Sequence, residues 1–210
     1  METVETGETP TRLSRRRERR KAEIVRVAIS LLATSGYQGM GLDDVADGAD
    51  IAKPTLYHYF SSKDELVSAA LETLSNNVLN RLIAVLDDAP GDAHRDRLRA
   101  LVNEQIRIMT EEYPEVGTIF AWQTSWPDMH DEARKSMRRR HDAVFRQVVV
   151  AGLEAGELDC ANIDVALQCL HGIINNASIW LSQMKDSEQT LTTQRDLVSA
   201  VMRIFTTEHS

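Results

Sequence analysis

Residues 53–66, KPTLYHYFSSKDEL, contain the starts of two helices. Pro54 is compatible with the first turn of a helix, because its missing N–H would have no intrahelical acceptor there. Ser62 and Glu65 have the spacing of a capping box, in which side chains satisfy free backbone groups at a helix N-terminus. The segment therefore predicts a short helix, a turn, and the first turn of a long helix.

The residues before this segment predict two more helices. Helical spacing relates the apolar residues Ile24, Val27, Ala28, Leu31 and Leu32. The helix that they predict ends at Gly36, and residues 42–46 predict a second, shorter helix. Residues 49–52 predict a tight turn before residue 53, so two short helices flank that turn.

Charge is distributed unevenly along the 210 residues, whose net charge is −8. Residues 12–63 carry ten Lys/Arg against six Asp/Glu, and most of this positive charge lies in the run Arg15 to Lys21. Residues 1–11 and 64–210 are acidic. This pattern restricts contact with a polyanion to the N-terminal part of the chain.

The rest of the chain is helical in pattern. Only 10 Gly and 5 Pro are present, and an all-α fold of about nine helices is expected. One long helix runs from Ser62 beyond Leu82, another ends near Pro114, and a polar-faced helix over residues 128–155 is closed by Gly156.

Together these motifs resemble the DNA-binding domain of the TetR family of repressors. The resemblance spans residues 24–66 and rests on Ala28, Leu32, Gly36-Tyr37, Asp44-Val45-Ala46, residues 53–60 and residues 62–66. It implies a helix-turn-helix domain of three helices followed by a larger helical domain for ligand binding and dimerisation. We expect a disordered tail at 1–14, the DNA-binding domain at 15–66 and the C-terminal domain at 67–210.

The resemblance also implies which residues face operator DNA. The third helix enters the major groove by its N-terminal end, and neighbouring residues hold phosphates. The expected DNA-binding residues are Arg16, Arg19, Gly41, Leu42, Lys53, Pro54, Thr55, Tyr57, His58 and Lys63. We expect Leu56, Tyr59 and Phe60 to belong to the core instead.

Several positions depart from the family pattern. Met40-Gly41 stands where a capping Thr or Ser is usual, and Ala52 stands where a Ser usually caps the recognition helix. Asp50 replaces the usual Gly of the turn, and Asp43 adds negative charge nearby. We therefore expect a loosely held recognition helix and a shift of phosphate binding toward the arginine run, which would reach an adjacent minor groove.

Two C-terminal helices predict a homodimer. The segment from residue 165 to 181 is apolar nearly all round, so it must be covered on two sides, by its own core and by a partner subunit. The expected interface comprises Leu170, Ile173, Ile174, Ala177, Leu181, Val201, Ile204 and Phe205.

A small, hydrophobic effector is the expected ligand of the C-terminal domain. Candidate pocket residues are Met109, Phe120, Trp122 and Trp126, which suit an ordinary core equally well. Residues 138–140 are three arginines, which form either a solvated helix face or an anchor for an anion such as a coenzyme A thioester.

Other function classes have weaker support. The sequence has no glycine-rich phosphate loop, Gly-x-Ser-x-Gly elbow or His-Glu-x-x-His pair, so we expect no catalytic residues, cofactor or metal. Cys160 and Cys169 lack metal-site spacing and are expected to be reduced. No segment is apolar enough to span a membrane, and a cytoplasmic location is expected. A ligand-independent architectural DNA-binding protein and an activator remain as alternatives.

Overall fold

A computed structural model describes residues 11–88, 93–114, 116, 119, 131–181, 183–184 and 186–206. These ranges contain eight α-helices and no strand, which confirms the all-α fold. The helices are α1 Arg12–Gly39, α2 Leu42–Gly48, α3 Lys53–Tyr57, α4 Lys63–Asp87, α5 His94–Arg107, α6 Asp131–Glu154, α7 Ile163–Leu181 and α8 Ser187–Arg203.

Helix α1 begins earlier than the sequence pattern predicted. Thr11 is its N-cap and accepts a hydrogen bond from the backbone N–H of Ser14 at 3.2 Å. The disordered tail was predicted to extend to residue 14, and this boundary is wrong because residues 12–14 are helical. The expected end at Gly36 corresponds to a real break, since Gly36 has φ 65° inside the assigned helix.

A short turn joins α2 to α3 and passes through Asp50, whose φ is 52°. This left-handed conformation is one that Asp tolerates better than most residues, as expected for a position that replaces Gly. The backbone N–H of Ile51 returns to the carbonyl of Ala46 at 3.0 Å. Leu56 of α3 and Phe60 beyond it are buried, which anchors the turn to the core.

Helix α4 connects the two halves of the chain. Ser62 caps it by accepting from the backbone N–H of Glu65 at 3.1 Å, and the Glu65 carboxylate accepts from the backbone N–H of Ser61 at 2.7 Å. The capping box is thus confirmed, except that the Glu65 carboxylate contacts the backbone N–H of Ser61 and not that of the N-cap residue Ser62. A continuous buried stripe from Leu66 to Leu82 packs α4 against α1, α5 and α6.

Helix α5 passes directly into a π-helical turn at Ile108–Glu112, which ends as predicted just before Pro114. Four charged side chains tie this turn to α4. Arg81 of α4 contacts Glu104 at 2.9 Å and Glu112 at 3.2 Å, and Arg107 contacts the same two carboxylates at 2.8 and 2.7 Å. Because each carboxylate is shared by both guanidinium groups, α4, α5 and the turn are linked by one network.

Helices α6, α7 and α8 complete the C-terminal half. Gly156 ends α6 with φ 71°, as the sequence predicted. Asn162 and Asp186 cap α7 and α8 through their side-chain oxygens. In the described part of the chain, no helix is both long enough and apolar enough to cross a membrane.

Substitution of Asp50 tests the constraint at the turn between α2 and α3. We expect Asp50→Val to lower the free energy of unfolding by about 1–2 kcal/mol, because a β-branched side chain is strained at positive φ. Asp50→Gly should leave stability close to that of the wild type. Urea unfolding followed by circular dichroism measures both, and equal stability of the two variants would contradict the assigned backbone conformation.

Candidate DNA-binding surface and ligand cavity

Helix α3 presents a polar face to solvent and buries the opposite face. Tyr57 is 48% exposed, and Lys53, Pro54 and His58 are exposed as well. Thr55 is half-buried. The predicted contact residues of α3 therefore lie on or at the edge of one accessible surface, which can approach base edges and phosphates.

Lys53 is held by an ion pair that the sequence did not reveal. Its Nζ lies 2.9 Å from the Asp43 carboxylate of α2, and the hydrogen bond to this carboxylate raises the pKa of Lys53. Both side chains are exposed. The Asp43 carboxylate therefore partly offsets the charge of Lys53, while the ammonium keeps further N–H donors for a base or a phosphate.

Helices α2 and α3 lack side-chain N-caps, as the sequence predicted. Gly41 and Ala52 precede α2 and α3, and neither makes a side-chain capping hydrogen bond. Arg20 of α1 supports the turn instead, because its guanidinium donates to the carbonyl of Ala49 at 3.2 Å while pairing with Glu23 at 2.9 Å. Within the arginine run, Arg20 thus stabilises the turn, whereas the arginines before it face solvent.

The N-terminal half of α1 extends beyond the core as a basic helix. Residues 11–19 are all exposed, and Ile24 is the first buried residue of α1. Arg16 and Arg19 line a cleft of about 570 Å³ whose other wall includes Thr55 of α3. The two predicted phosphate-binding arginines therefore lie on the same side of the domain as the recognition helix.

This geometry bears on the expectation that the arginine run reaches an adjacent minor groove, because the run is a helix and not an extended arm. An α-helix with side chains is about 10–12 Å wide, whereas the minor groove of B-DNA is about 6 Å wide. Residues 12–20 are helical, so they are too wide for insertion as an extended arm. Contacts of their side chains with the phosphate backbone are compatible with this helix.

Three remaining predicted DNA-binding residues lie at helix starts. Gly41 is the N-cap of α2, and Leu42 is half-buried against the core. The Lys63 ammonium lies 4.6 Å from the ring centroid of Tyr37, and burial lowers the pKa of Lys63. Tyr37 in turn donates a 2.5 Å hydrogen bond to Asp64, which raises the pKa of Tyr37. Lys63 therefore has a packing role whether or not it also contacts a phosphate.

The C-terminal half contains a cavity of about 640 Å³ between α4, α6 and α7. One wall is apolar and includes Leu74, Val78 and Leu79 of α4. The other wall is polar and includes His141 of α6 and His171 of α7. The cavity therefore suits a ligand with both hydrocarbon and hydrogen-bonding parts.

Burial controls the ionisation of the two histidines. It lowers the pKa of His141 to about 3, with a smaller contribution from His171, and His141 Nε2 lies 2.7 Å from Gln105 Oε1. Burial also lowers the pKa of His171, although the nearby Asp142 carboxylate opposes this shift. At neutral pH both imidazoles are therefore uncharged, and His141 Nε2–H donates to Gln105.

Of the four predicted pocket residues, the structure describes Met109 alone. Met109 is buried in the core cluster and is not part of the cavity wall. Phe120, Trp122 and Trp126 lie outside the described residues. Arg138 and Arg139, which the sequence left open between a solvated face and an anion anchor, line the cavity and are exposed.

The cavity residues on α6 and α7 were missed because their meeting depends on helix packing. Asp142 and Arg146 have the i, i+4 spacing of a helical ion pair, which was an available signal. His171 lies on another helix, 29 positions after Asp142, and no local pattern connects it with the others.

The structure places most of the predicted dimer-interface residues within the core of a single chain. Six of the eight are buried there: Leu170, Ile174, Ala177, Leu181, Val201 and Phe205. Ile204 is half-buried, and Ile173 is 38% exposed. The expectation that α7 has two apolar faces nevertheless agrees with its exposed side chains, which include Val165 and Trp180.

Comparisons with known proteins agree with both halves of this arrangement. Residues 24–70 match the family model described as bacterial regulatory proteins, tetR family, and residues 91–184 match the one described as tetracyclin repressor-like, C-terminal domain.

Similar curated proteins include the transcriptional activator FasR of Mycolicibacterium smegmatis, 28% identical over 79% of this chain and 74% of FasR. The transcriptional regulator LuxR of Vibrio harveyi is 25% identical over 91% of this chain and 92% of LuxR. Among solved structures, FadR of Bacillus subtilis in complex with stearoyl-CoA has the same fold, with a TM-score of 0.72 and 13% identity over 87% of this chain and 98% of FadR.

The two family matches lie on the two halves that the structure separates, and the first includes α2, α3 and the start of α4. They confirm the resemblance found in residues 24–66. The chain belongs to the TetR family of bacterial regulatory proteins and is a DNA-binding transcriptional regulator.

Proposed function

We propose that the protein is a homodimeric repressor that binds a palindromic operator in the cytoplasm and releases it when a small molecule enters the cavity. The observation that carries this proposal is the position of α4. Only residues 58–62 separate this helix from α3, and farther along it forms the apolar wall of the 640 Å³ cavity. A ligand that contacts Leu74 and Val78 therefore acts on the helix that carries the DNA-binding domain.

The cavity favours a sensor over the architectural alternative. A ligand-independent DNA-binding protein has no need of a cavity, and this one falls within the range of about 300–1,000 Å³ that suits small-molecule sites. The apolar wall supports a hydrophobic effector. Arg138 and Arg139 support the alternative in which the effector is an anion of the acyl-coenzyme A type, and the similar fold of FadR accommodates stearoyl-CoA.

The exposed face of α7 supports dimerisation with a second copy of this chain. At about 100° per residue, Val165, Cys169, Ile173 and Trp180 project within about 80° of one another on the helix surface. The buried residues of α7 occupy a separate, neighbouring sector of the helix surface. A two-fold interface would cover this face and would hold two α3 helices at a fixed separation, as a palindromic site requires.

Tyr57 provides the test of DNA recognition. We expect Tyr57→Ala to weaken binding to the chain's own upstream DNA at least tenfold in a gel shift, because the change removes an exposed, DNA-facing side chain without damage to the core. Tyr57→Phe measures the contribution of the hydroxyl group. Ile83→Ala, which removes a side chain on α4 that is 49% exposed, is the matched control. If Tyr57→Ala binds as the wild type does, α3 is not the recognition helix.

Titration of candidate hydrophobic ligands into the same gel shift tests the sensor. Release of the operator by one class of ligand is the expected result. If no ligand changes operator binding, and calorimetry detects no ligand binding to the protein, the architectural alternative is supported instead.

The basic part of α1 provides a second prediction. Replacing Arg16 and Arg19 by Gln should reduce the slope of log K against log salt by about 0.9 for each phosphate that the protein no longer neutralises. Arg95→Gln with Arg203→Gln removes the same charge from exposed positions of the C-terminal half and serves as control. An unchanged slope in the α1 variant would show that this helix does not contact the phosphate backbone.

The oligomeric state provides a third prediction. We expect Ile173→Arg to convert the dimer into a monomer in sedimentation experiments, since a buried, unpaired charge opposes association. Val150→Arg on α6 is the control, because Val150 is also 38% exposed. Retention of the dimer by Ile173→Arg would exclude this face of α7 as the interface.

A further inference from the structure

The polar wall of the cavity contains a buried nitrogen that no described residue satisfies. His171 Nε2 has no hydrogen-bond partner within the described part of the chain. The nearest carboxylate oxygen, Asp142 Oδ1, lies 3.5 Å away, which is too far for a well-formed hydrogen bond. Both side chains line the cavity. A ligand atom that satisfied His171 would therefore also lie close to Asp142.

Asp142 is fixed in place by its other oxygen. Its Oδ2 accepts from Arg146 Nε at 3.0 Å, and the same guanidinium contacts Asp164 Oδ1 at 2.8 Å. This pairing leaves Oδ1 on the side of His171. The His171 ring is held as well, since it packs edge-on against Phe145 and at 5.0 Å from the ring of His141. The two side chains are thus held in place, with His171 Nε2 buried beside Asp142 Oδ1.

One ligand atom can bridge this pair once a small shift of the cavity wall opens His171 Nε2, which is out of contact with solvent in the structure. An oxygen at about 2.8 Å from both His171 Nε2 and Asp142 Oδ1 is compatible with their separation of 3.5 Å. The bridging atom must accept from the imidazole N–H and donate to the carboxylate. A hydroxyl group has both capacities.

We propose that the cavity recognises a hydroxyl group on an otherwise apolar molecule, with that hydroxyl bridging His171 Nε2 and Asp142 Oδ1. This inference rests on the proposed function of the cavity as the effector site. The apolar wall of α4, including Leu74, Val78 and Leu79, contacts the hydrocarbon part of the ligand.

Charged groups fit this position less well. A carboxylate has no proton to donate to Asp142 and brings a second negative charge beside it. Burial keeps His171 neutral, so it does not offset that charge. An ammonium group would face Arg146, which already neutralises Asp142. Among the described residues, no group of three or more His, Cys, Asp or Glu side chains is arranged to hold a metal ion.

A matched series of probes tests the proposal: 2-naphthol, 2-methylnaphthalene and 2-naphthoate, each titrated calorimetrically into the full-length protein without DNA. The three probes share one apolar ring system and differ in the group presented to His171. We expect 2-naphthol to bind at least tenfold more tightly than either of the others.

Variants of His171 connect this preference with the proposed atoms. His171→Phe keeps a ring but loses the nitrogen, and we expect the preference for 2-naphthol to disappear. His171→Gln restores an N–H donor and should recover part of it. Glu154→Gln, a change at an exposed position of α6 that is not part of the cavity wall, should leave the preference unchanged. Thermal melting of each variant identifies any that fails to fold. If His171→Phe does not fold, the comparison of 2-naphthol preference between His171→Gln and the wild type tests the inference.

Three results would overturn the inference: 2-naphthoate binding as tightly as 2-naphthol, an unchanged preference in His171→Phe, or no binding of 2-naphthol at millimolar concentration. A gel shift on the same preparations without ligand separates this failure from that of the proposed function. If the protein binds the operator but shows no preference for 2-naphthol, only the inference about the ligand is rejected. If it prefers 2-naphthol but does not bind the operator, only the proposed function as a repressor is rejected.

Discussion

The buried stripe of α4 is the constraint on which the rest of the structure depends. Residues from Leu66 to Leu82 on one face of this helix close the core of the DNA-binding domain and then pack against α5 and α6. The helix cannot rotate or slide to improve one set of contacts without disturbing the other, because packed cores resist small displacements. Arg81 adds a polar link on the same helix, since Glu104 and Glu112 hold it against α5 and the π-helical turn. Under the proposed function, a ligand that contacts the cavity wall therefore acts on the whole helix.

The parts of the fold that sequence predicted best are those set by a few neighbouring residues. The Ser62 cap, the left-handed Asp50 and the terminating Gly156 each depend on local backbone geometry, and each is where the pattern put it. Element type was predictable for the same reason. The start of α1 was missed although a signal existed, because arginine is a good helix former and Thr11 precedes the run as a cap.

The candidate site was less predictable where it depends on side chains that meet across helices. Lys53 and Asp43 belong to α3 and α2, and their pairing depends on the angle between those helices. His171 and Asp142 meet only once α6 and α7 are packed. The predicted dimer residues show the same limit. The apolar pattern predicted that α7 is covered on two sides, but it could not tell which face, such as the one with Leu170, belongs to the core of the single chain.

The ion pair between Lys53 and Asp43 gives the recognition helix an internal competitor. Any nucleic acid that approaches Lys53 also meets a carboxylate 2.9 Å from its ammonium, so a loose encounter with random DNA gains little from this lysine. Only a complex that seats α3 closely enough to offer a well-placed acceptor recovers the loss. In the proposed mode of DNA binding, Asp43 weakens attraction to all DNA and disfavours loosely seated complexes most, which favours discrimination over strength.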